Sequence, residues 1–301
     1  MLNFLRLVLG VEQLSKQQQQ LLIALGNSLK YASTDPGKVK ATVTYKRCAE
    51  IVSLLSPMDV KGGEYARVGR DGDGGYVMLC DPLSEKVDAA YSFGIGDDVS
   101  WSDAIAGRGI DVFMYDHTIS RLPKRHPKFH FFKTGLAGHK KGPALATLGK
   151  LIIENGHAMC KRLIMKIDIE GGEWDAFDEI STEVIGQFSQ LVVEFHGLSV
   201  AVDEKRYLLI VEVLKKINQT HQSIHVHANG LGIPLWIGEF VLPSTLEVTY
   251  VRRSDVKDRL VANTRQFPTE IDQPSPANRH DIYLGSFSCE ERGQPDLTVP
   301  R

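Results

Sequence analysis

Within Met165–Phe177, which reads MKIDIEGGEWDAF, Asp168, Glu170 and Glu173 follow a short β-favouring run and bracket two glycines. Like charges this close are costly in a dry interior, so the stretch implies a wet cleft, a cation or a hydrogen-bonding ligand. Two further strand-like runs end in groups with comparable chemistry, Glu194-Phe195-His196 and His225-Val226-His227. Alternate residues of a strand share a face, which pairs Glu194 with His196 and His225 with His227 and predicts one crevice holding three carboxylates and up to three imidazoles. Two chemistries suit that set. His196 or His227 would act as general base beside Asp168 and Glu194, or Asp168, Glu194 and His196 would hold a divalent metal ion that orients a diol. The plain alternative is that Glu173 and Asp175 favour a helix N-terminus and the histidines are hydrogen-bonded strand residues.

A second group lies earlier. The run AAYSFGI ends in Gly94, Gly96, Asp97 and Asp98, with Val99 where a dinucleotide fingerprint needs its third glycine. Bare helix N-terminal amides suit a pyrophosphate, whereas Asp97 and Asp98 would sit in that anion's seat and suit a cation. Asp116 ends the next strand-like run, about twenty residues beyond Gly94, the usual reach for a carboxylate that accepts ribose hydroxyls. An adenosine-bearing, positively charged cofactor without a pyrophosphate meets this description, as S-adenosyl-L-methionine does; an ordinary tight turn with Asp116 as a cap is the alternative.

The elements that must position these groups alternate. Strand-like runs near 89–95, 110–116, 128–133, 162–168 and 190–196 are separated by helical stretches, the mark of an α/β protein with a parallel sheet covered on both faces. The runs SIHVHA and LEVTYVRR suggest an antiparallel pair at one edge, which makes a doubly wound, Rossmann-like sheet of seven strands, mostly parallel. YARVGRDGDGGYVML reads as a leading β-hairpin. The expected organisation is a helical N-terminal extension over 1–58, serving as a cap or as a homo-oligomerisation arm, a main domain over 59–286, and a tail over 287–301.

MKIDIEGGEWDAF resembles the K-[IM]-D-[IV]-E-G-x-E motif of the FkbM-type, methyltransferase-like class I S-adenosylmethionine-dependent methyltransferases. RDGDGGYVM, YSFGIGDDVSW and LEVTYVRR are similar to accompanying blocks, and the likeness spans Tyr65 to Leu284. The resemblance implies cofactor contacts at Gly94, Gly96, Asp97, Asp116, Leu136, Asp168 and Glu170, and methyl transfer, usually to oxygen, with a sugar or glycan hydroxyl as the expected acceptor. Ser92-Phe93 stand where an acidic residue often precedes the glycines, which leaves the cofactor's amino group to Asp97 or to the carboxylates after the fourth strand.

Composition narrows the other classes. The 301 residues carry 43% hydrophobic and 24% charged side chains and a net charge of −2, an ordinary globular balance without the basic footprint of a nucleic-acid binder. Four scattered cysteines form no CxxC pair, no run of about 20 apolar residues offers a membrane span, and a reducing, cytoplasmic setting is expected. No P-loop and no serine or cysteine with an evident base partner is present. From His117 to Ile153 there is no acidic residue but many basic ones, among them Lys124, Lys128, Lys140, Lys141 and Lys150. That run is a solvated face or a rim for an anionic small-molecule or glycan acceptor. A metal-dependent hydrolase and a non-catalytic binding module of the same fold are the competing functions.

Overall fold

The computed structural model describes residues 25–26, 28–32, 34–140, 142–200, 203–275 and 280–288. Lys141, Cys289, residues 1–24 of the N-terminal segment and residues 289–301 of the tail lie outside them. Asp35 caps α1 (Pro36–Lys40) through its carboxylate, so Pro36 opens a helix at the position where its missing N–H costs nothing, rather than breaking one. Thr42 caps α2 (Val43–Leu55). Cys48, Ile51, Val52 and Leu55 of α2 are buried in the same apolar cluster as the main sheet.

Strand β1 (Met58–Val60) precedes the predicted hairpin of β2 (Tyr65–Val68) and β3 (Tyr76–Leu79), and α3 (Cys80–Ser84) follows. The alternating part then runs β4 (Ala89–Phe93), α4 (Ser100–Ala106), β5 (Val112–Tyr115), β6 (Phe129–Phe132), the short pair β7 (Gly135–Leu136) and β8 (Leu145–Ala146), α5 (Leu148–Glu154) and β9 (Leu163–Ile167). After it come α6 (Glu173–Glu179), α7 (Thr182–Ile185), β10 (Phe188–His196), α8 (Glu204–Asn218) and β11 (His221–Asn229). A hairpin of β12 (Leu235–Ile237) and β13 (Phe240–Leu242), then β14 (Thr245–Arg252), α9 (Arg253–Val256) and β15 (Leu260–Ala262) complete the order. β15 returns to pair with β1.

The main sheet has seven strands in the order β11-β14-β10-β9-β4-β5-β6. β6, β5, β4, β9 and β10 are parallel; β14 inserts antiparallel between β10 and β11. The expected α/β, doubly wound, mostly parallel sheet is therefore present, with β14 and β11 as its antiparallel edge pair. The crossover WDAFDEISTEVIGQF between β9 and β10 is two short helices, because Ile180 leaves α6 in an extended conformation and Ser181 caps α7.

The two sheet faces are unlike. One packs α2 and α5 to α8 against Tyr91, Phe93, Tyr115, Met165, Val193, Phe195 and Tyr250. The rings of Phe93 and Tyr115 stack at 5.2 Å and those of Tyr115 and Phe132 at 4.9 Å, pairs worth about 0.5–1.5 kcal/mol each beyond burial. The other face carries Lys166, Glu194, Thr249, His225 and His227, all buried; the β2–β3 hairpin roofs part of it, and α4 packs through Trp101, Ile105 and Ala106 on its apolar part at Ala90, Val112, Met114, Ile164 and Val192. Side chains of the sheet dock that roof: Leu79 N–H donates to Gln190 Oε1 at 2.8 Å, Gln190 Nε2 donates back to Leu79 O at 3.1 Å, and Thr249 Oγ1 donates to Val77 O at 2.6 Å. Backbone groups that a helix would satisfy internally are thus satisfied by polar side chains of the sheet.

Candidate functional site

Where β4 and β5 end, the chain opens a cleft of about 630 Å³ lined by Gly94, Gly96, Asp97, Asp116, Leu136, Asp168 and Glu170 among others. This is the crevice at the carboxyl ends of parallel strands where α/β ligands bind, and it gathers every residue expected to touch a cofactor. Gly94 (φ 74°) and Gly96 (φ 53°) serve differently. A Cβ on Gly94 would lie 1.6 Å from the carbonyl oxygen of Asp168, so the close approach that requires this glycine is to the chain itself. A Cβ on Gly96 would meet nothing within 4 Å.

Asp116 is engaged by the chain itself. Its Oδ2 accepts from the N–H groups of Ile95 and Gly96, both at 2.9 Å, and its Oδ1 accepts from Thr118 N at 2.7 Å and Thr118 Oγ1 at 2.6 Å. All four lone-pair directions of the carboxylate are used, one of them by the rotatable Thr118 hydroxyl, which makes Asp116 the anchor of the glycine loop. Burial raises its pKa, but these donors outweigh that and hold it at about 2. Asp98 is likewise engaged, with Ser100 N at 2.9 Å, Ser100 Oγ at 2.9 Å and Arg70 Nε at 3.6 Å. Asp97, exposed beside it, is the carboxylate of that loop directed to neither task. Leu136 with Ala137 and Leu145 gives the cleft an apolar wall.

A second cavity, also of about 630 Å³, meets the first at Asp73, Asp168 and Glu170, which line both. Glu194, His196, Arg206 and Asn229 line it further in. The loop between β9 and α6 divides the two. Lys166, buried under the Tyr76 ring, donates to Gly94 O at 2.8 Å and Asp168 Oδ2 at 3.2 Å, which ties the ends of β4 and β9 together. Glu170 then takes φ 56°, rare for a residue other than glycine, with Gly171 at φ 96°. Glu173, fully buried at the start of α6, supports this turn: its Oε1 accepts from Ile169 N at 2.8 Å and Gly171 N at 3.2 Å.

His196 sits among four carboxylates. Its Nδ1 is 3.2 Å from Glu173 Oε1, and its Nε2 is 3.6 Å from Glu170 Oε2 and 3.8 Å from Glu194 Oε1. Burial pulls its pKa down, but Glu173, Glu194 and Asp168 raise it to about 9. Glu194 is buried, accepts from Asn229 Nδ2 at 3.0 Å and from Tyr76 Oη at 3.4 Å, and has its pKa raised well above the usual range by burial and by Asp168 and Glu247.

Three expectations change. His227 and His225 do not join the crevice. His227 is bound through Nδ1 to Glu247 at 3.2 Å and through Nε2 to Asp281 at 3.0 Å, and His225 Nε2 to Asp272 at 2.9 Å, because Asp272 and Asp281 lie against β11. Asn229 reaches the cavity from that strand instead. The expected metal set also shifts: among the described residues the grouping with ligand atoms within 4.8 Å is Asp168, Glu173 and His196, without Glu194. It does not fit a metal, since Lys166 places an ammonium on Asp168 and Glu173 Oε1 is committed to two backbone N–H groups and the imidazole. Thirdly, the basic run is paired on the outside at three positions, Lys124 with Asp103, Lys128 with Asp111 and Lys150 with Glu154, and within it Lys140 alone of the described lysines and arginines lines either cavity.

Glu173, Asp73, Asn229 and Arg206 were not singled out from sequence as site residues. Glu173 and Asp73 fall inside the two most distinctive blocks, MKIDIEGGEWDAF and RDGDGGYVM, whereas Asn229 and Arg206 carry no such signal. Among the described residues no helix is long and apolar enough to cross a membrane.

No family model matches the chain, and no curated protein matches it. Among solved structures it is similar to a precorrin-6y methyltransferase from Geobacter metallireducens GS-15, at 10% identity and TM-score 0.27, over 56% of this chain and 82% of that one. It is also similar to a chain of a fibrillarin/Nop5p complex, at 9% identity and TM-score 0.34, over 66% of this chain and 99% of that one.

Proposed function

We propose that the protein is an S-adenosylmethionine-dependent methyltransferase that acts on a hydroxyl-bearing acceptor, with a sugar hydroxyl as the class the sequence resemblance favours. One observation carries the reading: a glycine-lined cleft at the carboxyl ends of β4 and β5 opens, across Asp168 and Glu170, into a second cavity of equal size. Two linked compartments suit a cofactor and an acceptor that must meet at one point.

The residues of the first cleft fit such a cofactor. Gly96 leaves room beside the loop, Leu136, Ala137 and Leu145 offer an apolar wall for a base, and Asp73 and Asp168 supply negative charge toward a sulfonium and an ammonium. With Asp116 committed to Ile95, Gly96 and Thr118, the hydroxyls fall to Asp97. The bound cofactor would supply an activated methyl group. The protein's part is then alignment and removal of one proton, for which His196 is the placed group.

Calorimetric titration with S-adenosylmethionine, its demethylated product and NAD tests this. Micromolar binding of the first two, with none of NAD, is expected. Absence of binding by either adenosyl compound would overturn the assignment.

A further inference from the structure

The hydrogen bonds of His196 fix its tautomer. Nδ1 faces Glu173 Oε1 at 3.2 Å and the carbonyl oxygen of Glu194 at 3.1 Å. Both are acceptors, since Glu173 Oε1 already takes two backbone N–H groups. The hydrogen therefore resides on Nδ1, and Nε2 carries the lone pair of the neutral ring. The ring's backbone is held as well: the His196 carbonyl accepts from Trp174 Nε1 at 2.7 Å and from Arg206 Nη2 at 3.1 Å. Glu173 has its second oxygen buried with no hydrogen-bond partner, and the cationic groups near its charge are the imidazole and Arg206. Nε2 points to Glu170 and Glu194, which line the second cavity along with His196.

The charge of that cavity selects what enters. Asp73, Asp168, Glu170, Glu194 and Asp203 line it against two basic groups, His196 and Arg206, and Arg206 gives one N–H to the His196 carbonyl and lies over the Trp174 ring. An anion would meet carboxylates on several sides.

We propose that the second cavity is the acceptor site, that it admits a neutral or ammonium-bearing molecule with a free hydroxyl and excludes phosphorylated or carboxylated ones, and that Glu173 positions His196 Nε2 to take the hydroxyl proton. This rests on the methyltransferase reading. The acceptor oxygen bonds to the methyl carbon, the carbon–sulfur bond breaks with its electron pair left on sulfur, and the hydroxyl proton passes to Nε2. Glu173 is a positioning residue here, because it acts through the imidazole.

The groups facing His196 are Glu173 and Glu170 from the β9–α6 loop and α6, Asp168 and Lys166 from β9, Glu194 on its own strand, Glu247 beside it on β14 and Arg206 on α8. Their balance favours the imidazolium up to about pH 9, so proton removal speeds up as pH rises toward that value.

The test is an NMR titration of the imidazole signals in the full, cofactor-free chain, with His196 assigned by its loss in His196→Gln. His196 is expected to titrate near pH 9. Glu173→Gln keeps an oxygen for Ile169 and Gly171 but removes the charge, and its His196 should titrate at least a hundredfold more acidic in proton affinity. A wild-type His196 that titrates at its ordinary value near 6.5, or one that Glu173→Gln leaves in place, would overturn the positioning role. Should Glu173→Gln not fold, the wild-type titration alone decides.

In the loaded enzyme His196→Gln should lose about 10² to 10⁴ in kcat. Methyl transfer from radiolabelled cofactor into neutral oligosaccharides or glucosamine, and none into glucose 6-phosphate, is expected; preference for the phosphate would overturn the acceptor class. Calorimetry on the same samples separates the failures, since cofactor binding with an ordinary His196 titration sinks this inference alone, and no cofactor binding sinks the methyltransferase reading.

Discussion

Asp116→Asn distinguishes a ribose acceptor from a loop anchor. The substituted amide keeps one oxygen, which can stay with Ile95 N and Gly96 N, but its NH₂ then faces the Thr118 N–H, donor against donor. Thr118 Oγ1 can rotate to accept, so one half-buried backbone N–H loses its partner, at about 1 kcal/mol, and two charge-assisted bonds become ordinary ones, at roughly 0.5 kcal/mol each. The expected destabilisation is about 2 kcal/mol. With an unfolding entropy near 2 cal/mol/K per residue, each kcal/mol lowers Tm by about 2 °C in a chain this long, so Tm of the ligand-free protein should fall by roughly 4 °C.

Differential scanning calorimetry without ligand reads this directly. A pure ribose acceptor would show the opposite pattern, an unchanged Tm with a tenfold or greater loss of cofactor affinity, and that result would refute the anchor argument. Acid reports the same carboxylate. Its folded pKa of about 2 lies below the ordinary 3.8, so its stabilisation is complete above pH 3.8 and is lost as pH falls through 2, a contribution of about 2 kcal/mol that Asp116→Asn removes.

Other perturbations separate residues that look alike in sequence. Gly94→Ala places a methyl 1.6 Å from the Asp168 carbonyl and should yield insoluble or unfolded protein, whereas Gly96→Ala costs only about 1 kcal/mol of backbone strain and leaves a folded chain, as thermal melts would show. Glu170→Gly relieves φ 56° and should raise stability by up to about 1 kcal/mol in urea while lowering transfer activity; a loss of stability would refute the strain argument. His227 is lowered by burial but raised further by Glu247 and Asp281, to about 10, so its stabilisation is full below pH 6.5 and fades as pH rises through 10. Amide exchange over 280–285 should therefore accelerate selectively above pH 9, and His227→Gln should abolish that pH dependence. Exhaustive chelation should leave activity unchanged, because Lys166 already occupies the cation position at Asp168; loss of activity restored by a divalent ion would overturn this.

The sheet was legible because its signals are local. Apolar β-branched and aromatic runs such as LIMKI and FSQLVVEF, set between helical stretches, specify buried parallel strands whatever the rest of the chain does. The cleft was legible for a similar reason: residues ending adjacent parallel strands must share one edge, so Gly94, Asp116 and Asp168 fall together. Direction was harder to read than place. Asp116 lies where a ribose acceptor would, yet whether its lone pairs meet a ligand or the chain's own Ile95 and Gly96 depends on how the loop closes, which spacing does not encode. His225 and His227 share a face with Glu194 as the two-residue period requires, but Asp272 and Asp281, distant in sequence, engage them and leave His196 as the described histidine that lines the second cavity. The crowded pairing of Glu173 with His196 joins residues 23 apart in the chain, and a helix-start glutamate looks the same whether it faces water or an imidazole.

The strain at Glu170 and the polarity of the sheet's second face have one physical logic. Gly171 and Gly172 stand next to Glu170, so a glycine one position earlier would have served the turn at lower cost; a glutamate at φ 56° is sustained only because Glu173 clamps the N–H groups on either side of it, at Ile169 and Gly171. What the strain secures is a carboxylate on the boundary between the two cavities, 3.6 Å from His196 Nε2. The sheet face behind it bears Lys166, Glu194, Thr249 and Gln190, groups that an apolar helix would leave unsatisfied. A β-hairpin offers backbone donors and acceptors and the Tyr76 hydroxyl, and so satisfies them. The roof is therefore a condition of the site, since a helix in its place would require the apolar sheet face that would remove Lys166 and Glu194 from the floor.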